Sequence, residues 1–140
     1  MLTFATHDSA PEQGDGPVKP GRTGLDRIVH AAGYSLRGLR LAWRGESAFR
    51  QEVALALLLL PAAFWLGRDP VEVSLLVVVV MVVLITELLN TGVEAVVDRV
   101  GHEHHELAGM AKDVGSAAVM LSLLLTGFVW GAILWGRFVG

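Results

Sequence analysis

The largely aliphatic stretch 81–99 carries Glu87, Asn90, Glu94 and Asp98. On an α-helix, at about 100° per residue, Glu87, Glu94 and Asp98 fall within a ~40° arc, flanked by Asn90 and Thr91. Charge in an apolar helix is expensive, and in a membrane span it marks a functional site by default. Glu46, Glu52, Lys112 and Asp113 stand at the ends of the neighbouring apolar segments. Carboxylates with open positions suit Mg²⁺, which takes oxygen ligands and is held by one or two carboxylates together with substrate phosphates. Lysine and arginine suit the phosphates themselves. A carboxylate in partly apolar surroundings is a stronger base than one in water. Metal, cation and base are the parts of a phosphoryl-transfer site.

The motif record narrows this chemistry. Gly109-Met-Ala-Lys112 has neither the spacing nor the Ser/Thr of a Walker A loop, and there is no kinase-type glycine loop. A nucleotide site would therefore be built from helix side chains. His102-Glu103-His104-His105-Glu106 is rich in zinc-ligand types but lacks the His-Glu-x-x-His spacing, and reads as a solvated loop. The stripe itself is open to three readings: catalysis, the aqueous lining of a small ion transporter, or a polar seam between packed helices.

The elements that carry these residues follow from composition and periodicity. Hydrophobic residues make up 53% of the 140-residue chain and charged ones 18%, with mean hydropathy +0.54, which indicates membrane spans. A net charge of −3 gives no sign of a nucleic-acid binder. The absence of cysteine excludes disulfides, thiolate metal sites and a cysteine nucleophile. The first 24 residues have no apolar core of signal-peptide length and read as a mobile tail. Residues 25–44 place Leu25, Ile28, Val29, Ala32, Leu36, Leu39 and Trp43 on one helical face opposite several arginines, an amphipathic helix suited to the membrane surface. Spans are expected at about 48–66, 71–98 and 114–136, with 101–113 as a polar linker holding at most an extra helical turn. Trp65, Trp130 and Trp135 are expected as anchors at the far interface. Gly127-x-x-x-Gly131 is a weak helix-association signal. The expected fold is thus an all-α membrane protein with three transmembrane helices and an N-terminal surface helix.

Orientation and depth refine the reading. Of the 11 Lys and Arg residues, all but Arg68 and Arg137 fall before span one or between spans two and three. That bias puts the N-terminus and the second connection in the cytoplasm. The second helical pattern covers about 30 residues, or ~45 Å, against ~30 Å of hydrocarbon. Glu87 should lie just inside the apolar zone, and Glu94, ~10 Å further along, at or beyond its edge.

Four segments resemble the bacterial integral-membrane diacylglycerol kinase family, which includes related undecaprenol kinases. They are Ala31-Ala-Gly-Tyr-Ser35, Ala48-Phe-Arg-Gln-Glu52, Glu87-Leu-Leu-Asn90-Thr-Gly-Val-Glu94-Ala-Val-Val-Asp98-Arg and Ala111-Lys-Asp-Val-Gly-Ser-Ala-Ala118. The likeness covers about residues 24–135. The surface-helix motif and Gly101-x-Glu103-x-His105-Glu106-Leu107 resemble the diacylglycerol branch more than the undecaprenol one. Met110 stands where relatives tend to carry a basic residue.

The resemblance implies a homotrimer with active sites shared between subunits in the bacterial inner membrane, and phosphorylation of diacylglycerol by ATP with Mg²⁺ as cofactor. Carried over by position, Glu87 matches the general base, and Glu46 and Glu94 the metal-binding carboxylates. Arg27, Tyr34, Glu103, His104, His105, Lys112 and Asp113 match nucleotide contacts, together with Glu46 and Glu94. Arg27, Ala31, Ser35, Arg40, Trp43, Ala48, Arg50, Glu52, Glu87, Ser116 and Trp130 match the lipid-substrate region. Asn90 and Asp98 belong to the same motif in supporting roles.

Overall fold

The computed structural model describes residues 24–100 and 106–139. They form four helices and, among the described residues, no strand: α1 (Leu25–Gly45), α2 (Ser47–Leu66), α3 (Pro70–Val100) and α4 (Glu106–Phe138). The helices α2, α3 and α4 have 20, 31 and 33 residues and are each apolar and long enough to cross a membrane. The expected tail and the histidine-rich 101–105 lie outside the described residues, apart from Gly24.

The long helix α3 is central, packed on one side by α4 and on another by α2. Its core contacts are Leu76, Val79 and Val80 against Ala56, Ala63 and Leu66 of α2 and Trp130 of α4. Ala56 and Ala63, two turns apart, let the α2 backbone come close to α3, as small residues do in membrane bundles. The opposite faces carry exposed Leu57, Leu58, Phe64, Leu121, Leu124 and Phe128. This apolar exterior is what a lipid-facing surface requires. Pro61 lies within α2, and the helix continues through it.

Helix α1 buries only Ala42, while Leu25, Ile28, Val29 and Leu36 are exposed. An apolar face with no protein against it fits a helix lying at the membrane surface. A single extended residue, Glu46, separates α1 from α2. Its N–H donates to the Ala42 carbonyl at 2.8 Å, and its own carbonyl accepts from Arg50 N–H at 3.4 Å. The Arg50 guanidinium turns back to the last carbonyls of α1, with Nη1 at 3.0 Å from Trp43 O and 3.5 Å from Arg44 O. A cation at a helix C-terminus satisfies orphan carbonyls and complements the helix dipole. The joint that carries Glu46 is therefore held from α2.

The other end of the bundle is tied by different means. Asp69 caps α3, with Oδ1 accepting from Val71 N–H at 2.8 Å and Glu72 N–H at 2.9 Å. Pro70 follows at the first helical position, and Glu72 Oε2 accepts from Arg68 N–H at 2.9 Å, completing a reciprocal cap. Arg68 also donates to Gly136 O at 3.3 Å, and Arg137 to Leu66 O at 3.0 Å. Two arginines thus cover the C-terminal carbonyls of α4 and α2. Gly67 is needed at this turn, since a Cβ there would overlap the Val73 side chain.

Two expectations are corrected. The third long helix begins at Glu106 rather than at 114, so residues 106–113 of the expected linker are helix. Glu106, Leu107, Ala108, Met110, Ala111 and Lys112 are mostly good helix formers, and leaving the apolar zone does not end a helix. Trp130 is not an anchor at the far interface. It is buried, and its indole N–H donates to Leu76 O of α3 at 3.3 Å. An indole facing the neighbouring helix needs an acceptor, and a backbone carbonyl supplies it. Trp65 and Trp135, by contrast, are exposed at the end where Arg68 lies.

Candidate active site

The polar stripe of α3 emerges from the bundle by degrees. Glu87 is 5% exposed, Asn90 and Glu94 are half-buried, and the Asp98 side chain is 58% exposed. This gradient runs toward the end where α1 meets α2. Asn90 Nδ2 donates to Glu94 Oε1 at 3.0 Å, one turn along the same face. Lys112 of α4 reaches Asp98. Asp113 and Ser116, also on α4, are exposed.

Glu87 lies among other carboxylates. It feels the charges of Glu46, from the α1–α2 joint, and of Glu94. Glu52, in the second turn of α2, in turn feels the charge of Glu87. One oxygen of Glu52 is enclosed without a hydrogen-bond partner. Among the described residues none of Glu46, Glu52, Glu87 and Glu94 forms an ion pair; the pairs present are Asp26–His30, Arg68–Glu72 and Asp98–Lys112. Negative charge brought together and left uncompensated is what a cation site offers. Glu46 and Glu94, both half-buried oxygen donors, fit Mg²⁺. Among the described residues no three His, Asp or Glu side chains converge on one point. Two carboxylates completed by phosphate oxygens are the arrangement such residues can make.

Arg27, Tyr34 and Arg40 of the surface helix are exposed, and among the described residues none of their hydrogen bonds or ring contacts reaches the stripe. The Tyr34 ring is instead covered by the Arg37 guanidinium, 5.3 Å from its centroid. Ser35 Oγ donates to Ala31 O at 3.0 Å. Arg40 and Trp43 line a groove of about 600 Å³ between α1 and α2. Ser35 and Ala42 face Leu88 and Thr91 across another of about 560 Å³. Ala48 and Arg50 sit at the exposed start of α2, Arg50 engaged with α1. Glu103, His104 and His105 lie outside the described residues.

Sequence reasoning missed a second polar row. Thr126 Oγ1 of α4 donates to Val79 O of α3 at 3.1 Å and to Ser122 O at 2.9 Å, and Ser122 Oγ donates to Val119 O at 2.7 Å. With Trp130, these residues recur every four positions on the α4 face turned to α3. That spacing was the signal that could have marked them. Thr91, whose Oγ1 is enclosed without a partner, was noted only as a flank of the stripe.

The fold and the unpaired carboxylates define a small three-span helical membrane protein whose acidic face opens at the end where its surface helix joins. Residues 33–134 match the model of a family described as prokaryotic diacylglycerol kinase. The chain is 51% identical over 116 residues to a diacylglycerol kinase of Escherichia coli K12, covering 83% of this chain and 95% of that one. It is 49% identical to one from Haemophilus influenzae, covering 80% and 95%, and 41% identical to one from Helicobacter pylori, covering 86% and 94%. The chain belongs to the prokaryotic diacylglycerol kinase family, and is an enzyme of the kinase class.

Proposed function

We propose that this protein transfers the γ-phosphate of ATP directly to the hydroxyl of diacylglycerol, giving phosphatidic acid and ADP. The observation that carries the reading is a buried Glu87 that feels the charge of Glu46 and Glu94, with none of the three in an ion pair among the described residues. Diacylglycerol reaches the site sideways from the bilayer, its hydroxyl at the depth of Glu87. The Glu87 carboxylate takes the hydroxyl proton as that oxygen bonds to the γ-phosphorus. The bond from the γ-phosphorus to its bridging oxygen breaks, and ADP leaves with that electron pair. Glu46 and Glu94 would hold Mg²⁺, which would supply charge neutralisation at the phosphates. Lys112 and Arg27 add fixed positive charge, and Asn90 holds Glu94 in place. Most of the rate then comes from positioning and electrostatics.

Arg27, Tyr34 and Arg40 make no hydrogen bond or ring contact with the stripe among the described residues, which supports a homotrimer whose sites are shared between subunits. Nine basic residues at the α1 end against two at the other support a cytoplasmic site and N-terminus in the bacterial inner membrane.

Radiolabelled ATP offered diacylglycerol and undecaprenol side by side in mixed micelles tests the substrate. Label in phosphatidic acid is expected. Transfer to undecaprenol alone would assign the chain to the other lipid alcohol, and transfer to neither, with ion flux in liposomes, would restore the transporter reading.

A further inference from the structure

Gly115 of α4 lies against the end of the Asn90 side chain of α3. A Cβ on Gly115 would clash with the Asn90 amide oxygen and stand 3.2 Å from its Cγ. That oxygen is enclosed and has no hydrogen-bond partner, while the amide nitrogen donates to Glu94 Oε1 at 3.0 Å. The amide cannot turn over, because its oxygen would then face a carboxylate, two acceptors with no hydrogen between them. The amide is therefore held at both ends, by Glu94 and by the missing side chain of Gly115.

We propose that Gly115 is a positioning residue for the metal-binding carboxylate. Its bare Cα forms the notch that seats Asn90, and Asn90 in turn aims Glu94. The inference rests on the reading of Glu94 as a metal ligand. Helix preference does not account for glycine here, since alanine is the better helix former. Gly109, Gly127 and Gly131 of the same helix have nothing within 4 Å of an added Cβ. At Gly115 the neighbour that would have to move is a side-chain end rather than backbone, so the α3–α4 packing tolerates alanine while the amide does not. A groove of about 440 Å³ lined by Asn90, Val93, Val114 and Gly115 gives the displaced amide room to swing away from Glu94.

The test is the affinity of the full-length protein in detergent for Mn²⁺ with a non-hydrolysable ATP analogue, read by electron paramagnetic resonance, alongside KM for diacylglycerol. Gly115→Ala and Asn90→Ala are each expected to weaken metal–nucleotide binding by about tenfold, the scale of one hydrogen bond to a charged group. KM for diacylglycerol should not move. The double variant should bind no more weakly than Asn90→Ala, because the methyl added at position 115 then has no amide left to displace. Wild-type binding by Gly115→Ala would overturn the proposal. So would losses that multiply in the double variant, which would mark a folding defect rather than an effect through Asn90. Glu94→Gln separates the two readings. If it binds as wild type, the metal assignment falls and this inference with it. If it loses binding while Gly115→Ala does not, only the inference falls.

Discussion

Lys112 of α4 and Asp98 of α3 meet at 2.6 Å, Nζ to Oδ1, near the C-terminus of α3 and the N-terminus of α4. Both side chains are about half exposed, so the pair adds little to stability in water. Its worth is positional: it keeps a long cationic side chain over the exposed end of the stripe, one turn beyond Glu94. Asp98→Asn should therefore raise KM for ATP several-fold and leave KM for diacylglycerol unchanged. The midpoint of thermal inactivation should shift by no more than about 2 °C. Steady-state kinetics with each substrate varied in turn checks this, and a large loss of stability with unchanged KM would contradict it.

The α1–α2 joint depends on one guanidinium. Arg50 binds two carbonyls at the end of α1, and Glu46 sits in the single residue between the helices. Arg50→Ala should free α1 to move and speed amide exchange at 45–47. Both KM values should rise, because Glu46 and the α1 grooves are displaced together. Arg50→Lys, with one point charge in place of a planar fork, should recover only part of the effect. Exchange rates in micelles read the motion directly.

Thr126 joins α4 to α3 through one hydroxyl, donated to Val79 O. Thr126→Val keeps the shape and removes the donor. The expected cost is about 1 kcal/mol, within the range for hydrogen bonds between membrane helices. Reversible unfolding in mixed micelles measures it. Kinetic constants should stay as in wild type, since the bond fixes helix register away from Glu94.

Asp69→Ala serves as a control from the opposite end. It removes two cap bonds at the start of α3 and should cost about 1 kcal/mol of stability. Neither KM should change. A selective effect on ATP affinity would show that the ends of α3 are coupled.

The helices were legible because apolar periodicity and span length are local properties. The order of burial along the stripe follows the order of its residues: Glu87 is buried, Glu94 half-buried and Asp98 exposed. The tertiary partners were not legible. Nothing near Trp130 in the chain says that its indole meets Leu76 O, because the acceptor is a backbone atom of another helix. Arg50 carried only a family assignment to lipid, whereas its visible work is to cap α1. Gly115 stood only inside the Ala111–Ala118 segment of the resemblance, and Gly127-x-x-x-Gly131 read as the association signal. The close approach within the chain occurs at Gly115, where a side chain from α3 fills the missing volume, while Gly127 and Gly131 face open space.

The division of the stripe into base and metal ligand is tested most directly by phosphate transfer from radiolabelled ATP to diacylglycerol, comparing wild type, Glu87→Gln and Glu94→Gln over a range of Mg²⁺. Glu87→Gln should lose turnover by about a hundredfold or more while its dependence on Mg²⁺ and its KM for ATP stay unchanged. Glu94→Gln should need more Mg²⁺ and show a raised KM for ATP. Wild-type turnover by Glu87→Gln, or the same Mg²⁺ response in both variants, would contradict the account.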